Sequence, residues 1–73
     1  MTESQIISSI YKAEYSKLIS VLCSIFGLSN IEIAEDIASD TFLAASESWK
    51  KKEVPENPTA WIYAAAKNKT RDY

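Results

Sequence analysis

The stretch Ile33-Ala34-Glu35-Asp36-Ile37-Ala38-Ser39-Asp40-Thr41-Phe42-Leu43-Ala44-Ala45 decides the reading of this chain. Its small and apolar residues recur every three to four positions. Ala34, Ile37, Ala38, Thr41, Phe42, Ala45 and, further on, Trp49 fall on one stripe of a helix. Its acids fall elsewhere. Glu32, Asp36, Asp40 and Glu47 lie near one line on the opposite face, with Leu43 among them. A strand would alternate with a period of two, and this stretch does not.

The same reading extends outward in both directions. Helix two is expected over residues 30–49, opened by Ser29 with Glu32 as a capping box. Before it, a first helix is expected up to Phe26, opened by Thr2 with Gln5 and stopped by Gly27, which takes a left-handed C-cap at little cost. Its stripe is Ile7, Tyr11, Tyr15, Leu18, Leu22 and Ile25, widened by Ile6, Ile10 and Ile19. After helix two, residues 50–57 read as a polar loop holding Pro55. Asn57-Pro58 then opens a third helix, with a side-chain cap followed by proline at the first helical position. Trp61, Ile62, Ala65 and Ala66 face inward, and Ala64-Ala65-Ala66 allows close helix approach. No capping signal precedes Tyr73, so the chain is expected to stop within this helix.

The expected fold class is therefore all-α: one compact three-helix bundle over residues 1–73, with its C-terminal helix cut short. A composition of 47% hydrophobic residues with one glycine and two prolines agrees with few turns and a packed core. A chain of 73 residues buries only about 60% of its unfolded surface, so its stability is marginal. Cys23 is the only cysteine and lies in an apolar run, as a small core residue would. No histidine is present, which argues against a zinc site, and no cofactor is implied. The N-terminus lacks a signal-peptide pattern, and no apolar run reaches about 18 residues. A cytoplasmic protein without a membrane span is the expectation.

The net charge of −2 hides a division. Residues 50–73 hold six basic and three acidic side chains, or +3, while residues 1–49 hold two against seven, or −5. On pattern alone the acidic line on helix two reads first as a solvated face; the functional reading is a docking surface for a basic partner, with Leu43 as its apolar anchor. At the basic end, Lys50, Lys51, Lys52, Lys67, Lys69 and Arg71 interleave with Trp49, Trp61, Tyr63 and Tyr73. Rings and cations together suit single-stranded DNA. A soluble helix with core tryptophans accounts for the same residues. The paired acids come with no nucleophile, metal ligand or pocket-forming loop, so an enzyme is disfavoured. A helix-turn-helix reader is disfavoured too, because the helix after Gly27 is acidic and unsuited to a major groove.

Two segments in order resemble the sigma-70 family, and within it the extracytoplasmic-function branch. Residues 33–45 are similar to its region 2.2, which reads A-E-D-hydrophobic-x-Q-(D/E)-x-F. Residues 57–73 are similar to regions 2.3 and 2.4, which read P-x-A-W-L-x-x-x-A-(R/K)-N-x-x-x-D. The stretch Val54-Pro55-Glu56-Asn57-Pro58 resembles one subgroup in particular. The resemblance implies a region 2 domain that binds the β′ clamp helices of core RNA polymerase through Asp36, Ser39, Asp40 and Leu43. It also implies recognition and melting of the promoter −10 element. The loop at Lys50, Lys51, Lys52 and Asn57 would receive a flipped base, and Lys67, Asn68 and Arg71 would follow the non-template strand. Trp61 and Asp72 read more as structural residues. Ser39 stands where the family usually has glutamine, and its shorter side chain lacks the amide that would hydrogen-bond the clamp. The family continues with a region 4 domain for the −35 element. This chain ends before it and is not expected to drive transcription alone. An anti-sigma factor is a further partner such domains have. The alternative is a helical protein–protein interaction domain without DNA function, to which the basic end would be of no use.

Overall fold

The computed structural model describes residues 2–24, 27 and 29–72. Ile25, Phe26 and Tyr73 lie outside the described residues, as do the side chains of Glu3 and Asp72. Three helices follow one another: α1 (Glu3–Ser24), α2 (Ile31–Lys51) and α3 (Pro58–Asp72), and the described residues include no strand. The fold is the all-α bundle expected.

Each helix starts where a side chain satisfies its free N–H groups. At α1, Gln5 N donates to Thr2 Oγ1 at 3.2 Å while Thr2 N donates to Gln5 Oε1 at 3.0 Å, a complete capping box. At α3, Ala60 N donates to Asn57 Oδ1 at 3.1 Å, and proline takes the first helical position. At α2 the cap differs from expectation. Asn30, not Ser29, holds the extended cap conformation, and its Oδ1 accepts from Glu32 N at 2.8 Å. Asparagine ranks with the best N-caps, so the helix starts one residue later. Gly27 has φ +76, the left-handed conformation expected after α1. A Cβ there would meet nothing within 4 Å, so the backbone conformation alone favours glycine.

The far end of α2 also differs. The helix runs on through Lys50 and Lys51, and Lys52 caps it by donating its N–H to Ser48 O at 2.8 Å. Cations in a last turn face the negative end of the helix dipole, which favours the extension. The inter-helix loop is shorter than expected, and two of its three lysines are helical.

The core is built around α2. Ala34, Ile37, Ala38, Thr41, Phe42, Ala45 and Trp49 are all buried, the seven positions of the expected stripe. Thr41 needs a partner at 0% exposure and has one, its Oγ1 donating to Ile37 O at 2.7 Å. From α1 the buried residues are Ile10, Leu18 and Leu22, with Ile6, Ile7, Tyr15, Ile19 and Cys23 partly buried against them. Tyr11 departs from its expected core place. It is 46% exposed and covers the edge of the core instead, 4.7 Å from Tyr15 and 5.2 Å from Phe42 between ring centroids. A phenol can do this because its hydroxyl end prefers water while its ring packs. From α3, Ile62 and Ala66 are fully buried, and Trp61 meets Trp49 edge to face at 5.3 Å.

Candidate functional site

Burying one side of α2 dictates what the other side shows. Asp36, Ser39, Asp40 and Leu43 are separated by three, four and seven positions, so they share a stripe, and all four are exposed. Asp36 and Asp40 are one turn apart, about 6 Å along the axis. Glu32 and Glu47 extend the exposed acidic line at either end. Leu43 is 59% exposed within it. An isolated exposed leucine needs no explanation, but one ringed by carboxylates has the make-up of an interface anchor. The only positive charge close in sequence is at the end of the helix, Lys50 and Lys51.

The second constellation lies where α2 passes into α3. Lys50, Lys51 and Lys52 are exposed around the helix end, and Asn57 is exposed at the start of α3. The Asn57 side-chain oxygen is already committed to the Ala60 N–H, which leaves its amide nitrogen to face outward contacts. On α3, Lys67, Asn68 and Arg71 are exposed along one face, with Ala60 and Ala64 on the same side. Lys69 turns away from them and is half-buried. The structure thus places all seven expected basic-end residues at the surface, in two groups: one at the helix junction and one along α3. Trp61 does not present a free ring there, being partly buried against the core and engaged with Trp49. The Trp49 indole Nε1 is buried without a hydrogen-bond partner.

One polar contact had no signal in the sequence. Tyr63 on α3 donates its hydroxyl to Glu14 Oε2 on α1 at 3.0 Å, across 49 residues of chain. Burial, and then the hydrogen bond to the Glu14 carboxylate and its charge, push the Tyr63 phenol above its ordinary value of 10.0. A shallow concavity of about 490 Å³ on α1, lined by Ser4, Gln5, Ser8, Ser9 and Lys12, contains none of the acidic-stripe or basic-end site residues.

The molecule is a small helical domain whose exposed α2 face is acidic and whose α2–α3 end is basic. The model of the family Sigma-70 region 2 matches residues 10–73, and the chain belongs to that family. No curated protein and no solved structure matches it. The family is one of non-enzymatic factors in transcription initiation, and it implies core RNA polymerase and promoter DNA as partners. No described helix is long and apolar enough to cross a membrane.

Proposed function

We propose that this chain docks on the β′ clamp helices of RNA polymerase through α2 and engages the −10 element through the α2–α3 end. The observation that carries the reading is the exposed stripe of Asp36, Ser39, Asp40 and Leu43, set opposite a fully buried stripe on the same helix. Carboxylates around an apolar anchor complement a basic helical partner, and the rigid backing of α2 holds them in place. Ser39 is too short to reach as far as the glutamine usual at its position, so Asp36 and Asp40 carry the polar part of the contact.

Lys50, Lys51, Lys52, Lys67 and Arg71 supply the charge that phosphates require, and Asn57 and Asn68 supply amides for hydrogen bonds. Promoter melting then needs no chemistry. The domain binds the open, single-stranded state, and a base flipped into the loop before α3 is held by stacking and hydrogen bonds. The loop sequence from Val54 to Pro58 supports placing the chain in the extracytoplasmic-function branch.

The test is binding of the chain to a purified β′ clamp-helix fragment, beside the variants Asp36→Arg and Asp40→Arg. Both positions are exposed, so both variants fold, and like charges brought together should lower affinity by about a hundredfold or more. A folded wild-type chain that does not bind, or reversals that bind equally well, would remove α2 from the docking role.

A further inference from the structure

The apolar stripe of α1 is interrupted at one place. Ile10, Leu18 and Leu22 are buried, and position 14, one turn from both Ile10 and Leu18, holds a glutamate. A carboxylate within an apolar stripe is unfavourable unless a hydrogen bond compensates it. Here Glu14 is half-buried and accepts from Tyr63. Such local departures from pattern tend to mark places where something other than stability is specified.

What it specifies follows from how α3 is held. The buried contacts of α3 are Ile62 and Ala66, with Ala65 and Trp61 partly buried and Trp61 edge to face on Trp49 near the start of the helix. Alanines have no rotamers and present a smooth surface, and apolar burial is non-directional. Ile62 and the Trp61 edge contact anchor the first half of the helix, and the Tyr63–Glu14 bond is, among the described residues, the one side-chain hydrogen bond between α3 and another helix. A hydrogen bond is directional and weakens steeply when misaligned. Tyr63 lies one turn before Lys67, at the margin between the buried seam and the exposed face. Side-chain surface lies about 5–6 Å from a helix axis, so a roll of about 20° shifts it by roughly 2 Å. That is enough to break the Tyr63–Glu14 bond or to take a cation off a phosphate.

We propose that Glu14 is a positioning residue: through its bond with Tyr63 it sets the roll of α3 and so the aim of Lys67, Asn68 and Arg71 toward DNA. This rests on the reading of α3 as the DNA-facing helix. Glu14 itself touches no nucleic acid, and it lies on a different helix from the clamp-docking stripe.

The experiment uses the chain bound to core polymerase, with a fluorescent single-stranded oligonucleotide carrying a −10 non-template sequence. Tyr63→Phe, Glu14→Ala and Glu14→Gln are compared, each shown to be folded by circular dichroism at the working temperature. Losing the bond should weaken DNA binding about three- to tenfold in Tyr63→Phe and Glu14→Ala, with clamp affinity unchanged. Glu14→Gln keeps an acceptor oxygen in place and should stay near wild type. Unchanged DNA binding, a parallel fall in clamp and DNA affinity, or Glu14→Gln behaving like Glu14→Ala would each overturn the positioning role. A wild-type chain that binds the clamp and no DNA would instead bring down the DNA reading of α3, and this role with it.

Discussion

Helices α2 and α3 both turn a charged face outward, but they are held in opposite ways. Seven side chains of α2 are buried along one stripe, including Phe42 and Trp49. On α3, among the described residues, only Ile62 and Ala66 are fully buried, and the helix relies on an edge contact between Trp61 and Trp49 and on the Tyr63–Glu14 bond. A face backed by a deep stripe is fixed in place whatever its surface residues are. A face on a lightly keyed helix depends on a few contacts for its aim. On the function proposed above, the deeply backed acidic face would meet the protein partner and the lightly keyed basic face the single strand.

The contrast breaks most visibly in the core. Phe42→Ala removes the ring against which Tyr11 and Tyr15 pack, at 5.2 and 6.4 Å between centroids. Urea unfolding should show a loss of about 3–5 kcal/mol, a large share of the stability of so small a domain. A loss under about 1 kcal/mol would mean that α2 is not the helix on which the bundle is built. Asn57→Ala acts on α3 alone. Removing its cap should cost about 1 kcal/mol, read as faster amide exchange at the start of α3 with α1 and α2 spared. Exchange that rises equally in all three helices would mean that α3 is keyed as tightly as α2.

Surface substitutions sharpen the comparison without touching the fold. Lys67→Ala and Arg71→Ala remove exposed cations and should change stability by less than about 0.5 kcal/mol. Each should flatten the salt dependence of single-strand binding by about 0.7 in the log–log slope if it meets one phosphate. An unchanged slope for both would move the DNA contact to Lys50, Lys51 and Lys52.

Much of α2 was legible in its sequence because no charge and only one hydroxyl, that of Thr41, interrupts its stripe, and periodicity alone separates buried Ile37 and Phe42 from exposed Asp36 and Leu43. The caps at Thr2 and Asn57 were legible for a similar reason, since each is set within three residues. Ser29 and Asn30 are both good caps, and choosing between them takes backbone geometry. Lys50 and Lys51 read as loop because they precede a proline segment, yet the helix dipole draws them into the last turn of α2. Tyr11 read as core because it falls on the α1 stripe, yet only its ring packs, against Tyr15 and Phe42, while its hydroxyl end prefers water. The Glu14–Tyr63 contact joins residues 49 apart, and no local pattern announces such a pair. The exposure of the site residues follows from the fold, whereas what each touches depends on partners whose shape the sequence does not contain.

The smallest expected effect concerns the same tyrosine. Its folded-state phenol lies above the ordinary 10.0, chiefly through burial and then through Glu14. Between 10.0 and the raised value the unfolded chain has released its proton while the folded chain keeps it. The unfolded state then binds fewer protons, so stability falls as pH rises through this window, and the contribution is complete only below it. Tyr63→Phe has no proton to lose. Wild type and variant differ only in this hydroxyl, so the difference in their urea stability reads its contribution. That difference should be largest near neutrality and shrink as pH climbs above 10. Glu14→Gln, which removes the charge but not the burial, the largest cause, should retain part of the alkaline dependence. A wild-type-to-Phe difference that stays constant across the window would mean that the hydroxyl is not held as a buried donor, and α3 would then be keyed by apolar contact alone.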